Sequence, residues 1–222
     1  MESKVMDGNI VRKIWEARII GVLVFERHEE VAPTIEALLE GGVNSIELAL
    51  RSPYALSAVE RVKREYPQML LGVGTVLTPE QVKQIAPVAD FAVAPGLNRR
   101  VIEAASREGL PFYPGISTAS ELEAALEYDI RLLKFFPAEP LGGLGYLQSM
   151  NTPYAHLDLR YIPLGGVNPQ NLGAYLQSPL IGAVGGSWIA PRKLIASGAW
   201  GNIREQAAAA MATAKNVQTP QS

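Results

Sequence analysis

The chain has 222 residues, a net charge of −2 and 48% hydrophobic residues, the make-up of a globular protein rather than of a disordered or nucleic-acid-binding one. It has no cysteine, which excludes a disulfide framework, a thiolate metal site, an iron–sulfur cluster and a cysteine nucleophile. Its two histidines, His28 and His156, are too few for a three-histidine zinc site, and a Ser-His-Asp triad would have to use one of them.

The opening segment, MESKVMDGNIVRKIWEAR, mixes both charges and lacks the apolar stretch of a signal peptide. No apolar run approaches the roughly 18 residues that span a bilayer. A cytoplasmic protein with neither a membrane nor a nucleic-acid partner is expected. Asn9–Ala17 reads as a helix ahead of the first strand. One rhythm then repeats: a short apolar run, a turn residue, a polar segment of helical period. The runs are 19–25, 45–50, 69–73, 91–94, 111–113, 132–136, 160–163 and 182–185. They are rich in Val, Ile, Leu and Phe and mostly do not alternate with polar residues, the pattern of parallel strands covered on both faces.

Between the runs, residues 29–40 carry Val31, Ile35, Leu38 and Leu39 at helical spacing and stop at Gly41-Gly42. Thr78-Pro79 reads as an N-cap followed by a helix-starting proline. Residues 98–107 and 118–128 read as helices, the second opened by a Thr118/Glu121 capping box. Asn168-Pro169 opens another. The 20 glycines and 16 prolines, above average usage of about 7% and 5%, supply the turns. Eight strand–helix units predict an α/β fold, a (β/α)8 barrel forming one domain over residues 1–222, with the N-terminal helix capping its bottom. Residues 1–8 and 215–222 are expected to be loose. An open doubly wound sheet is the competing architecture.

A barrel of this kind carries its chemistry at the C-terminal ends of its strands. Lys134, inside LLKFFP, must either reach solvent or point into the barrel mouth. An apolar surround favours the neutral amine, which can attack a carbonyl and form a Schiff base. Glu47, inside SIELAL, is a carboxylate in an apolar strand: either an ion-pair partner of Arg51 or Lys134, or a general acid/base. Arg51 could fork onto a substrate carboxylate or be a plain surface arginine, and Thr75 could donate a hydroxyl to the same carboxylate. The pairs Gly165-Gly166 and Gly185-Gly186, the latter followed by Ser187, end the last two strands, where barrels bind phosphate through backbone N–H groups. Glycine pairs also serve ordinary turns. Asn168 reads as a helix cap, the two histidines as surface residues, and Trp15, Trp188 and Trp200 as packing.

These residues stand in segments that resemble the class I 2-keto-3-deoxy-6-phosphogluconate (KDPG) aldolases, which often also act on 4-hydroxy-2-oxoglutarate (KHG). The segments are GGVNSIELALR (41–51), GVGTVLTPEQ (72–81), FAVAPGLN (91–98), PGISTASEL (114–122), LLKFFPAE (132–139), PLGGVNPQN (163–171) and GGSW (185–188). The resemblance implies a homotrimeric (β/α)8 barrel and Schiff-base chemistry with no cofactor and no metal. It implies Lys134 as the Schiff-base lysine and Glu47 as general acid/base. It implies Arg51 and Thr75 on the pyruvyl carboxylate, Pro95 and Phe136 as pocket walls, and Gly165, Gly166, Gly186 and Ser187 on the phosphate. The implied reaction is reversible cleavage of KDPG to pyruvate and glyceraldehyde 3-phosphate, and of KHG to pyruvate and glyoxylate.

Two positions depart from that pattern, as does the first strand, which reads GVLVFER where a PV-type start is usual. Leu164 stands where a threonine is usual, and Ala49 replaces a threonine in the strand that carries Glu47. Loss of a hydroxyl at 164 leaves a galactonate-type substrate open. A non-catalytic sugar-phosphate-binding barrel is a further alternative, against which Lys134 and Glu47 both argue. An epimerase or decarboxylase of sugar phosphates would need paired carboxylates or a metal, and only Glu47 is convincing.

Overall fold

The computed structural model describes residues 8–217. The termini expected to be loose lie mostly outside these residues. Within them the expectation is corrected at both ends: Gly8 opens the first helix, and Lys215 and Asn216 close the last.

The strands are β1 (Ile19–Leu23), β2 (Ser45–Ala49), β3 (Leu70–Gly74), β4 (Phe91–Val93), β5 (Phe112–Tyr113), β6 (Gly115–Ile116), β7 (Leu132–Phe135), β8 (Arg160–Pro163) and β9 (Val184–Gly186). All pair in parallel, in the orders β5-β4-β3-β2-β1-β9 and β6-β7-β8. The fifth predicted run, 111–113, holds β5 alone, and a further short strand, β6, follows on the other side of Pro114. Proline has no N–H to donate, so the ladder to β4 stops there. The chain then turns to β7, where the Lys134 N–H donates to the Pro114 carbonyl at 3.0 Å. On the far side, Tyr161 bonds across to Leu180 and Gly182 at 2.8 and 3.0 Å. With β5 and β6 counted as one interrupted strand, the sheet closes as an eight-stranded barrel.

The helices are α1 (Gly8–Ala17), α2 (Val31–Glu40), α3 (Ala55–Glu65), α4 (Pro79–Ile85), α5 (Arg99–Glu108), α6 (Ala119–Leu126), α7 (Gly143–Asn151), α8 (Leu172–Gln177), α9 (Arg192–Ala196) and α10 (Trp200–Asn216). Thr78 and Thr118 each cap a helix through reciprocal bonds with Gln81 and Glu121, and Asn98 caps α5. Asn168 instead folds a turn, its side chain accepting from the Gln170 and Asn171 N–H groups, and regular helix begins only at Leu172. Among the described residues no helix is long and apolar enough to cross a membrane.

Alternate strand residues face opposite ways. Ile46, Leu48, Leu71, Val73, Leu133, Phe135 and Tyr161 pack outward under the helices. Ile20, Leu70, Phe91, Val93, Tyr113, Leu132, Ile162 and Leu164 fill the interior with Ile10, Val11 and Ile14 of α1. Both faces are apolar, which is why the runs do not alternate. The interior cluster also places α1 across the bottom of the barrel, which leaves the opposite, C-terminal end for chemistry.

Candidate active site

Lys134 sits on β7 between two outward residues, Leu133 and Phe135, so strand geometry turns it into the barrel. Its Nζ donates to both carboxylate oxygens of Glu47, at 2.7 and 3.0 Å. The lysine is 5% exposed and the glutamate 4%. Of the alternatives open in the sequence, Lys134 does not reach solvent, and Glu47 pairs with Lys134 rather than with Arg51. The Phe136 ring centroid lies 5.6 Å from the same Nζ. Glu47 has room because β3 presents Gly74 beside it: a Cβ there would run into the carboxylate. A buried pair carries a desolvation cost that two-oxygen contact offsets. Chemically, passing one proton from Nζ to the carboxylate leaves a neutral amine beside a carboxylic acid.

The other candidate residues lie at the C-terminal ends of the strands. Arg51 follows β2; its side chain is exposed and makes no ion pair or hydrogen bond among the described residues. Thr75 follows β3 and is half-buried, with φ at +61°. A β-branched residue in that region is strained by about 1–3 kcal/mol, a cost typically kept where a side chain must be aimed. Bonds from the Leu50 N–H to Gly74 and from Val76 to Val93 hold this turn. Pro95 is exposed after β4, its carbonyl pressed against Gly115, where a Cβ would collide with it.

Gly165 and Gly166 have φ of +89° and +88°, a conformation that glycine takes without strain. Gly186 is the buried last residue of β9, and Ser187 is exposed. Among the described residues no backbone carbonyl accepts from the N–H groups of Gly165, Gly166 or Ser187. Successive free N–H groups on a turn are suited to an anion. Leu164 links the two turns, since its side chain occupies the space a Cβ of Gly185 would need, 2.6 Å away. His28 and His156 are exposed, His28 edge-on to Tyr54. No three His, Asp or Glu side chains are grouped to hold a metal ion among the described residues. A polar cleft lined by Lys13, Glu16, Asn44, Gln68 and Asp90 opens at the other end of the barrel, remote from Lys134.

The sequence profile of the aldolase family described as KDPG and KHG aldolase matches residues 10–206. The chain belongs to this family. A relative from Treponema pallidum, named 2-dehydro-3-deoxy-phosphogluconate aldolase, is 40% identical over 195 residues, 87% of this chain and 92% of its own. The barrel of this family member superposes on a crystal structure of the Legionella pneumophila KDPG aldolase holding pyruvate as a covalent carbinolamine. Its TM-score is 0.85 at 34% identity, over 90% of this chain and 97% of that one. It also superposes on the Zymomonas mobilis ZM4 2-keto-3-deoxy-6-phosphogluconate aldolase with 3-phosphoglycerate, with a TM-score of 0.83 at 33% identity, over 91% and 95% of the two chains.

The aldolase chain also carries features that the motifs alone did not reveal. Gly74 makes space for the Glu47 carboxylate; the signal was present in Gly72-Val73-Gly74, two glycines on the inward side of one strand. Leu164 is 5% exposed and packs in the interior cluster with Phe136, one layer nearer the mouth than Lys134. An apolar side chain therefore stands at this level of the barrel and offers no hydroxyl.

Proposed function

We propose that this chain is a Schiff-base aldolase that reversibly cleaves KDPG to pyruvate and glyceraldehyde 3-phosphate, and KHG to pyruvate and glyoxylate. The observation that carries the reading is the buried Lys134–Glu47 contact at 2.7 Å. Transfer of one proton to Glu47 frees the amine, which adds to the C2 ketone to give a carbinolamine. Glu47 returns the proton to the departing hydroxyl, water leaves, and a protonated imine remains. The carboxylate then takes the C4 hydroxyl proton, directly or through a water. The electrons of the C3–C4 bond move into the imine, the aldehyde departs, and an enamine of pyruvate stays on Lys134. Protonation at C3 and hydrolysis release pyruvate and restore the amine. The iminium is the electron sink.

Arg51 and Thr75 bind the pyruvyl carboxylate in this reading, Pro95 and Phe136 wall the pyruvyl pocket, and Gly165, Gly166, Gly186 and Ser187 hold the phosphate. Support comes from the Arg51 guanidinium, unpaired among the described residues, from the left-handed backbone of Thr75, and from the N–H groups of Gly165, Gly166 and Ser187, which meet no backbone acceptor among the described residues. A homotrimer is the assembly we propose, on the family resemblance. A cytoplasmic setting suits a phosphorylated substrate, whose charge keeps it from crossing a bilayer. The reading is tested by following pyruvate release from KDPG: wild type should turn over, and Lys134→Ala should be silent. Equal rates would reject it.

One observation favours a second substrate. Leu164 gives the mouth no hydroxyl, so discrimination at C4 is expected to be weak, and the galactonate-type epimer, 2-keto-3-deoxy-6-phosphogalactonate, is the alternative substrate.

A further inference from the structure

Glu139 closes the LLKFFPAE segment, yet the chemistry proposed above does not use it. It follows β7, and its N–H donates to the Gly165 carbonyl at 2.9 Å, while the preceding Ala138 N–H donates to Leu164 at 2.7 Å. Its stem lies directly against Gly166: a Cβ on that glycine would fall 2.5 Å from the Glu139 Cβ and 2.8 Å from its Cγ. Its carboxylate accepts the Tyr175 hydroxyl at 2.5 Å. Tyr175 belongs to α8, the helix that follows the glycine turn, and is 1% exposed. Burial, and after it the Glu139 carboxylate, push the Tyr175 hydroxyl up, so it stays a proton donor at any working pH. On the other face of the turn, the Asn168 and Asn171 amides donate to the Gly166 carbonyl at 3.1 and 3.4 Å. The turn is held by both sets of contacts, and among the described residues the N–H groups of Gly165 and Gly166 meet no backbone acceptor.

We propose that Glu139, locked by Tyr175, is a positioning residue for the phosphate turn: it holds Gly165 and Gly166 so that their N–H groups face a phosphate ester, and it touches neither the ester nor the reacting carbons. Glu139 is the post joining β7, which carries Lys134, to the turn and to α8. It thereby sets the distance between the Schiff-base nitrogen and the anion site. This inference rests on the phosphate role proposed above for the glycine turns.

A structural role alone would affect every substrate alike; a positioning role separates them. The test compares KDPG with KHG, which has no phosphate, in wild type, Glu139→Ala, Glu139→Gln and Tyr175→Phe. Tyr175→Phe removes only a hydroxyl and guards against a Glu139→Ala that fails to fold. KM for KDPG should rise about fivefold to tenfold in Tyr175→Phe and Glu139→Ala, the worth of a lost buried hydrogen bond. kcat/KM for KHG and the extent of pyruvate trapping on Lys134 should stay at wild-type level. Glu139→Gln keeps an oxygen for Tyr175 and should restore the KDPG KM. Inorganic phosphate should compete with KDPG in wild type and lose potency in step with the KM rise. If wild type neither prefers KDPG nor is inhibited by phosphate, the phosphate reading of the turns fails, and the inference with it. If wild type shows both and the variants shift KDPG and KHG equally or not at all, the positioning role alone is overturned.

Discussion

Lys134 and Glu47 stand out in the sequence for one physical reason: a charge in an apolar strand has to be used or paired. The structure shows them paired, and in the mechanism proposed above the same contact is also the proton path. Glu47→Gln keeps the shape and one acceptor oxygen but cannot cycle a proton. Pyruvate should still bind in that variant, but its trapping on Lys134 should be slowed for want of a carboxylate to take the Nζ proton, and KDPG turnover should fall about 100-fold or more. Undiminished turnover would remove Glu47 from the mechanism. Leu164 makes a second residue-scale prediction. Wild type should cleave the gluconate and galactonate epimers of the six-carbon substrate at similar rates, and Leu164→Thr should favour the gluconate form; unchanged ratios would free C4 selection from this position. The left-handed Thr75 is illegible in the sequence, and the two glycines of Gly72-Val73-Gly74 signal an opening without saying that Glu47 fills it, because φ and a missing Cβ have consequences only once neighbouring strands are in place.

The elements were legible where the local signal is chemical. The Thr118/Glu121 box is such a case, and it carries more than a helix start. Glu121 takes hydrogen bonds from the backbone and hydroxyls of Ser117 and Thr118, and Tyr146 donates to the Ser117 carbonyl. Burial alone would push the Glu121 carboxyl up, but these donors outweigh it and hold it below the ordinary carboxylate range. A depressed carboxyl contributes stability above its unfolded value, and that contribution is lost as pH falls through the folded one. Stability should therefore drop on acidification below about pH 4, and Glu121→Gln should lose that part of the acid dependence. Parallel unfolding profiles for the two proteins would contradict it. Where elements were misjudged, the cause was long-range. The C-terminal helix runs on to Asn216 because Arg18, near the other end of the chain, donates to the Ala214, Val217 and Leu176 carbonyls at 2.8, 2.8 and 3.2 Å. No window of sequence shows that bond. The break at Pro114, by contrast, follows from the missing N–H and could have been read from the residue itself.

For the whole molecule, the barrel was readable from the count of eight strand–helix units, since runs apolar on both faces suit a doubly wound sheet equally well. α1 reads as a plug only once Ile10, Val11 and Ile14 are seen inside the barrel bottom. That closure directs access to the end where Lys134 sits. The assembly makes its own prediction: light scattering should give three times the 24.0 kDa chain mass, and a monomer mass would set the trimer aside. The central claim is that the buried lysine forms a covalent imine with pyruvate. Incubation with pyruvate followed by borohydride reduction and mass measurement should yield a stable adduct on Lys134 in wild type and none in Lys134→Ala. An unmodified wild-type mass, or an adduct that persists in Lys134→Ala, would contradict it.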